Sequence, residues 1–446
     1  MISNTVKDKI FYTALALIAV CASLAHLNIV FQILLYAIVI LAPLLLNSTK
    51  TISLYCFSAC FMACFGGSWF IMILNVSLAL FWAKEVVLAV KNKNCDIKNI
   101  ILLLLLWGGL LLILTLYSLF YNKFKVYRMI MFVDFVQFCF IFYLVHKTIN
   151  LKHVLLTLTS GIASSVLIAV IFQVCGIYSG FIQGDLTSRF GAFFNNINTL
   201  SVFCTTCASC LVALILTNQL EFKKFCWMPF VISGLGFLSM SKVFMILTIL
   251  LYLSWYTISF IKSANKRNYI WYTIILVLLL LAVIFVFRNY IHRIINRFID
   301  SSYSSKIDNF TTGRASIWKE YIRRWLESPI TVLFGNGYTA QKISTNFYEH
   351  SIYIAFLFQF GVVGTILIMG LLIWSMCKAK FSRNIANYIP VALLLINGLT
   401  SNLSGILCPC IIWLLAFCFV TNKTTTPNLS SQNIAHSDTK GDDNDK

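Results

Sequence analysis

The sequence predicts an all-α membrane protein, a polytopic bundle of 12–14 transmembrane helices with one large loop outside the bilayer that contains an amphipathic helix. Of its 446 residues, 59% are hydrophobic and 11% are charged, whereas a soluble protein has about 25% charged residues. Apolar runs such as residues 269–287 are long enough to cross most of a bilayer. Most Lys and Arg residues fall in alternate connections between such runs, which is typical of membrane proteins.

The predicted helices divide the chain into four parts. A transmembrane bundle of about eleven spans covers 1–287, a large hydrophilic loop covers 288–349, further transmembrane helices cover 350–421, and a polar tail covers 422–446. The tail is rich in Thr, Ser, Asn and Asp, which is typical of disordered segments. The predicted spans are 10–26, 29–46, 51–65, 68–90, 99–120, 129–147, 153–175, 196–217, 225–240, 243–261, 269–287, 350–377, 386–401 and 404–421.

The distribution of basic residues predicts the orientation of the chain. If the N-terminus is cytoplasmic and the spans alternate, most Lys and Arg residues outside the large loop fall on the cytoplasmic side, as the positive-inside rule requires. Both termini are then expected to be cytoplasmic. The short connections on the other side hold only Lys123, Lys125, Arg128, Arg189 and Lys242.

The sequence contains 15 cysteines, and nearly all of them lie in apolar segments. Cys204, Cys207 and Cys210 follow one another at helical spacing, as the ligands of a metal site would. No His, Asp or Glu accompanies them, and a charged thiolate cluster is unfavourable inside a bilayer, so we interpret them as packing residues. We therefore expect neither a metal site nor a cofactor.

The large loop contains an amphipathic helix, predicted over 314–326. Its apolar residues form one stripe that consists of Ile317, Trp318, Tyr321, Ile322 and Trp325. Its basic residues lie mostly off that stripe, so the helix lies on the outer membrane interface or packs on its own domain, and both arrangements are open. The sequence Gly335–Asn336–Gly337 then predicts a tight turn before the chain returns to the membrane.

Four residues on the non-cytoplasmic side are candidates for chemistry. Arg189 lies in a short connection, Lys242 lies between two spans, Arg314 begins the loop helix, and His350 precedes the next span. Guanidinium groups bind phosphate oxygens through paired hydrogen bonds, and an imidazole accepts or gives a proton near neutral pH. Such a set suits a lipid pyrophosphate whose headgroup lies at the membrane surface. Any one arginine alone is also explained as an anchor for lipid phosphate.

Four short motifs occur in a recognisable order along the chain. They are residues 187–198 around Arg189, Gly-Arg-x-x-x-Trp at 313–318, the Gly335/Gly337 turn, and His350 followed by Gly361 and Gly364. This order and its spacing resemble the bacterial O-antigen polymerase and O-antigen ligase superfamily, and the topology is similar over the whole chain. Two positions depart from that family. Lys242 stands where members often have Arg, and Ser351 follows the His where ligases commonly have Asn, which favours a polymerase.

The resemblance implies a glycosyltransferase of lipopolysaccharide biosynthesis that acts on the periplasmic face of the bacterial inner membrane. It would transfer a glycan chain from one undecaprenyl-pyrophosphate carrier to a sugar hydroxyl of a newly flipped, carrier-linked repeat unit. Arg314 and Arg189 would hold the donor pyrophosphate and neutralise the charge that develops as it leaves. His350 would be the base that activates the acceptor hydroxyl.

The same resemblance implies further contacts and partners. Lys242 and Arg288 would contact phosphate, and Arg323 and Tyr353 would also bind substrate. A leaving pyrophosphate needs about two positive charges or a divalent metal, and no Asp-x-Asp pair lies on the periplasmic side, so we predict metal-independent activity. The expected partners are an undecaprenyl-pyrophosphate-linked oligosaccharide, membrane lipids and a chain-length regulator protein, and no nucleic acid.

Two other functions remain open. An O-antigen ligase would use the same donor and transfer the glycan to lipid A–core, and the motifs separate it poorly from a polymerase. A flippase or exporter of lipid-linked glycan is also polytopic and basic, but such transporters often have internal repeats and charged groups near mid-membrane. No repeat is evident between the two halves of the chain, and the notable charges cluster on one face, which favours chemistry at the surface.

Overall fold

The computed structural model describes residues 4–25, 27–65, 68–92, 97–120, 126–183, 188–194, 196–262, 288, 292, 313–337, 350–400 and 411–422. Within these residues the protein is almost entirely α-helical. The helices are α1 (Asn4–Leu24), α2 (Ile29–Leu45), α3 (Ser48–Ala59), α4 (Ser68–Lys91), α5 (Ile97–Phe120), α6 (Val126–Val145), α7 (Leu151–Val174), α8 (Ile197–Leu216), α9 (Phe222–Phe225), α10 (Met228–Phe237), α11 (Lys242–Lys262), α12 (Arg314–Trp325), α13 (Pro329–Phe334), α14 (Ile352–Ala379), α15 (Ile389–Gly398) and α16 (Ile411–Val420). Two 3₁₀ turns, Met62–Phe65 and Ile385–Tyr388, and a hairpin of β1 (Phe181–Gln183) and β2 (Ser188–Phe190) complete the described structure.

The helices lie where the sequence predicts spans. Among the described residues, six helices are long and apolar enough to cross a membrane, namely those of α4, α5, α7, α8, α11 and α14. Apolar segments of α2, α6, α15 and α16 are shorter. The all-α, multi-pass architecture is therefore confirmed, while the total of 12–14 spans stays a prediction. The predicted span 269–287, most of the loop 288–349 and nearly all of the tail lie outside the described residues.

Helix α8 is at the centre of the bundle. Nearly all of its residues are buried, and it packs against α7, α10, α11, α15 and α16. A helix that is surrounded by other helices in a membrane needs small side chains so that the backbones can approach closely. Cys204, Cys207 and Cys210 serve this purpose, and Cys207 Sγ lies 3.3 Å from Thr159 Oγ1 of α7. The three cysteines are therefore packing residues, as predicted.

Polar contacts join several connections at one end of the bundle, which we call the Lys50 end. Lys50, in the first turn of α3, forms a 2.5 Å ion pair with Asp8 of α1. The backbone N–H of Asn150, just before α7, donates to the Thr49 hydroxyl at 3.1 Å. The sequence analysis assigns all of these positions to the same side of the membrane, so their grouping agrees with the predicted alternation of spans. Which side this end faces stays a prediction.

The opposite end of the bundle is formed where α3 meets the segment after β2, and we call it the Arg189 end. Helix α3 begins at the Lys50 end and ends at Ala59. In the 3₁₀ turn that follows, the N–H of Ala63 donates to the carbonyl oxygen of Phe193 at 3.0 Å. Because this distant carbonyl replaces a helical acceptor, the predicted span 51–65 is an α-helix only as far as Ala59.

The contact between α8 and α10 depends on a glycine. A Cβ on Gly236 would lie 2.5 Å from Phe244 Cε2 and 2.9 Å from Cys204 Cβ, whereas a Cβ on Gly234 would meet nothing within 4 Å. We expect Gly236→Ala to lower the free energy of unfolding by about 1–3 kcal/mol because the helices must separate. The matched variant Gly234→Ala should change it by less than about 0.5 kcal/mol. Thermal unfolding in detergent measures the difference, and equal melting temperatures would contradict the described packing.

Candidate functional site

Arg189 lies in strand β2, in a hairpin that the sequence analysis did not predict. The strands have three residues each, which is too short for an alternating pattern to be visible. The Arg189 side chain is held by two neutral oxygens: Nε donates to the Ser239 carbonyl at 2.8 Å, and Nη2 donates to Asn198 Oδ1 at 3.4 Å. The guanidinium is thereby oriented between the start of α8 and the end of α10.

A tight turn between α10 and α11 brings Lys242 near Arg189. The backbone N–H of Phe190 donates to the Leu238 carbonyl at 3.3 Å, and Met240, within the turn, has a positive φ of 48°. Lys242 is the first residue of α11, and it is only 8% exposed. Arg189 bonds to this turn and Lys242 follows it directly, so two basic residues from distant parts of the chain lie at the same turn.

The loop helix α12 packs on α14 through part of its apolar stripe. Tyr321 is 2% exposed and meets Phe358 edge-on, with the ring centroids 4.9 Å apart. Ile317 and Trp325 pack beside this pair, whereas Ile322 is exposed. Of the two arrangements that the sequence left open, packing on the protein's own helices is therefore observed for the Tyr321 side of the stripe.

Helix α14 is interrupted at Gly361, and the turn 335–337 fills the break. Gly361 has φ 62° and ψ −170°, which is not helical. The N–H groups of the last two residues of the turn donate to the carbonyl oxygens of Phe358 and Gln359, at 2.7 and 2.8 Å. Since these carbonyls would otherwise accept from amides one turn later in α14, the turn replaces helical hydrogen bonds. The sequence predicted the turn but not its partner.

Helices α12 and α14 contact each other close to the break in α14. Trp325, at the end of α12, donates from its indole N–H to the Val332 carbonyl in α13 at 3.3 Å. Helix α13 leads directly to the break at Gly361, where the carbonyl of its residue Leu333 lies against Gly361. One turn before Trp325, Tyr321 contacts α14 on the N-terminal side of the break. The end of α12 is therefore near the break.

Arg314 and His350 both precede, in the chain, the residues of the aromatic pair. Arg314 is the first residue of α12, seven residues before Tyr321, and His350 precedes α14, eight residues before Phe358. At 1.5 Å per residue, Arg314 lies about 10 Å from Tyr321 along α12, and the first residue of α14 lies about 9 Å from Phe358 along α14. His350 has a positive φ of 48°, a conformation that is uncommon for residues other than glycine and is frequent at functional sites.

The broken helix lies at the Arg189 end of the bundle. A Cβ on Gly337 would lie 3.3 Å from Ser118 Cα, so the turn 335–337 contacts the last part of α5. Helix α6 ends shortly before Asn150 at the Lys50 end, so it begins at the opposite end. The five residues between α5 and α6 span at most about 3.5 Å each, which keeps the end of α5 near the start of α6. The Arg189–Lys242 region and the α12–α14 unit therefore share one end of the protein.

Tyr353 connects α14 to the rest of this end. Its O–H donates to the Leu395 carbonyl of α15 at 2.8 Å, and α15 packs against both α8 and α11. The first turn of α14 is thereby attached to the helices that carry Lys242 and Asn198. Arg288 is exposed, and its neighbours in the chain lie outside the described residues.

Arg323 is on the exposed side of α12 and contacts two carboxylates. Its guanidinium is 2.8 Å from Glu320 and 3.2 Å from Glu327, and Arg324 also contacts Glu320 at 3.0 Å. Hydrogen bonds from Arg323 and Arg324 hold the pKa of Glu320 at about 2, so its carboxylate stays ionised at neutral pH. The charge of Arg323 is engaged within α12, and its role in substrate binding stays a prediction.

Ser239, which bonds to Arg189, belongs to none of the motifs found in the sequence, whereas Asn198 and Asn336 lie inside the motifs 187–198 and 335–337 but had no predicted role. Asn336 lies between two glycines, and Asn198 belongs to an Asn-rich start of a helix, so turn and cap residues are the available signal. Within the described part of the chain, no group of three or more His, Cys, Asp or Glu residues is arranged to hold a metal ion. Metal-independent activity stays a prediction, because only a measurement of the reaction rate with and without a chelator tests it.

No family model, curated protein or solved structure matches this chain. The resemblance to O-antigen polymerases and ligases therefore rests on the short motifs.

Proposed function

We propose that this protein is an O-antigen polymerase, a glycosyltransferase that joins undecaprenyl-pyrophosphate-linked repeat units into a polysaccharide at the periplasmic face of the inner membrane. Two findings support the proposal: Arg189 and Lys242 lie at one turn, and α14, which follows His350 and contacts the helix that begins with Arg314, is attached through Tyr353 and α15 to the helices that carry Lys242 and Asn198. The headgroup of a lipid-linked substrate lies at the end of such a bundle while its isoprenoid chain stays in the bilayer. With the Arg189 end in the periplasm, both termini are cytoplasmic.

The proposed reaction is a substitution at the anomeric carbon of the donor glycan. The acceptor hydroxyl loses its proton to His350 as its oxygen bonds to that carbon. The bond between the carbon and the pyrophosphate oxygen breaks, and undecaprenyl pyrophosphate leaves with the electron pair. Arg189, Lys242 and Arg314 provide positive charge where the negative charge of the leaving group increases.

The contacts of Arg189 support this role. The Ser239 carbonyl and the Asn198 amide oxygen fix the direction of the guanidinium, and neither of these two acceptors is charged. A charged donor that is oriented in advance stabilises a transition state without reorganising during the reaction. Lys242 is 8% exposed, and in such a partly dehydrated position its attraction for a phosphate is stronger than in water.

The proposal is tested by reconstituting the full-length protein in liposomes with a defined undecaprenyl-pyrophosphate-linked oligosaccharide. We expect a ladder of products that differ by one repeat unit, and the ladder should persist after exhaustive treatment with EDTA. Loss of turnover on chelation, restored by Mg²⁺ or Mn²⁺, would contradict the predicted metal independence. Movement of the oligosaccharide across the bilayer without extension would instead indicate a flippase.

The same assay separates a polymerase from a ligase when lipid A–core is added. A polymerase extends the carrier-linked glycan whether or not the core is present. A ligase forms capped core and leaves the carrier-linked glycan unextended. Formation of capped core alone would therefore replace the proposed function with the ligase function.

A further inference from the structure

The break in α14 and the turn that fills it form a joint, which consists of Gly361 and the turn 335–337. We propose that this joint is a positioning device that holds Arg314, on α12, in register with His350, at the start of α14. The inference rests on the proposed function, because it assigns to the joint a role in placing the leaving-group charge relative to the base.

The joint separates a membrane-spanning part of α14 from a part that carries site residues. Helix α14 has 28 residues, or about 42 Å at 1.5 Å per residue, whereas the hydrocarbon core is about 30 Å thick. The part from 362 to 379 is alone about 27 Å long. The part before Gly361 is therefore not needed to cross the bilayer, and it carries the contacts with α12 and, through Tyr353, with α15.

The backbone of the joint has no room for side chains. Gly335 and Gly361 have positive φ angles of 72° and 62°. A Cβ on either glycine would lie 2.5 Å from the backbone nitrogen of the other. Asn336 adds a side-chain donor, since its Nδ2 lies 3.3 Å from the Phe358 carbonyl that already accepts from its backbone N–H. The two backbone segments of the joint are therefore closely packed, and their relative position is fixed by hydrogen bonds.

Hydrogen bonds among residues 325–331 form a fixed corner between α12 and α13, so the position of the joint also fixes the position of α12. Ser328 caps α13 through a reciprocal capping box with Thr331, and the Thr331 hydroxyl donates back to the Trp325 carbonyl at 2.8 Å. Helix α12 is thus attached to α14 at two levels, through this corner and through the Tyr321–Phe358 pair. Two attachment levels fix the direction of a helix as well as its position, so they determine where its first residue, Arg314, lies.

The test uses Gly361→Ala and, as a matched control on the same helix, Gly370→Ala, where a Cβ would meet nothing within 4 Å. In the reconstituted protein we expect Gly361→Ala to lower kcat about 100-fold with little change in KM, because a misplacement of about 1 Å is enough for such a loss. Gly370→Ala should keep the wild-type kcat within about two-fold. Hydrogen exchange of the Asn336 and Gly337 amides provides a readout that does not depend on activity, and Gly361→Ala should remove their protection.

A second variant covers the case in which Gly361→Ala does not fold. Asn336→Ala removes only the side-chain donor, and we expect kcat to fall about three- to ten-fold at an unchanged KM. Normal kcat in Gly361→Ala despite lost amide protection, or normal kcat in Asn336→Ala, would overturn the positioning role and leave the polymerase proposal intact. A wild-type protein that makes no product would overturn both.

Discussion

Replacing His350 with alanine is expected to lower kcat for chain extension on the order of 1,000-fold, because the reaction loses the base that accepts the proton of the acceptor hydroxyl. The KM for the donor should change little, since the pyrophosphate is bound by other residues. Because a protonated imidazole cannot accept a proton, the wild-type rate should fall at acidic pH. The residual rate of the variant should lack that dependence. Initial rates of ladder formation over a range of pH measure both effects.

A histidine at the other end of the protein provides the control. His146 follows α6, and its Nδ1 lies 3.0 Å from the Phe142 carbonyl of the same helix. We expect His146→Ala to retain the wild-type rate within about two-fold. An equal loss in both variants would indicate a general effect on folding. A wild-type rate in His350→Ala, with normal protein levels, would remove His350 from the reaction and favour a transporter.

Replacing Arg189 with alanine is expected to lower kcat/KM about 100- to 1,000-fold, because the leaving pyrophosphate loses an oriented positive charge. Arg189→Lys should recover only part of this loss. A lysine keeps the charge but cannot bond to the Ser239 carbonyl and to phosphate through one planar group. Rates with the defined lipid-linked oligosaccharide, together with the melting temperature of each variant, separate an effect on chemistry from an effect on stability.

Matched basic residues at distant positions control for net charge. Arg383 is exposed and follows the C-terminal end of α14, and Lys224 is exposed and lies in the short helix α9. We expect Arg383→Ala and Lys224→Ala to leave kcat/KM nearly unchanged. Arg189→Ala and Lys242→Ala, with which they are paired, should each lower it. Equal losses at both members of a pair would mean that total charge, rather than the site at the Arg189 end, determines the rate.

The candidate residues differ in how far the sequence could place them. Arg314 begins α12 and His350 lies two residues before α14, and the pattern of both helices is visible in the sequence, so these elements were predictable. The relation between these helices was not, because it depends on Tyr321 packing on Phe358 and on the break at Gly361. A glycine inside an apolar helix is compatible with either an unbroken or a broken helix, so its conformation depends on the segment that packs against it.

The surroundings of the basic residues were also decided by tertiary contacts. Arg189 and Arg323 look alike in the sequence, since each is a basic residue on the predicted outer side. In the structure, Arg189 is oriented by the Ser239 carbonyl, 50 positions away, whereas Arg323 pairs with Glu320 and Glu327 of its own helix. The pairs in α12 follow the i, i+3 and i, i+4 spacing of a helix and could have been read from the sequence.

The sequence by itself determined that this protein is a multi-pass helical membrane protein, and it located most of the described helices. These features follow from local hydrophobicity and from the length that a bilayer requires, and both are written in consecutive residues. Only the tertiary structure decided that α3 ends at Ala59, that Arg189 lies in a hairpin, and that the turn 335–337 completes the broken α14. The end of α3 and the completion of α14 depend on hydrogen bonds between backbone groups far apart in the chain, and a backbone N–H or C=O is the same in nearly every residue and leaves no pattern in the sequence. The strands of the hairpin are too short to show a pattern.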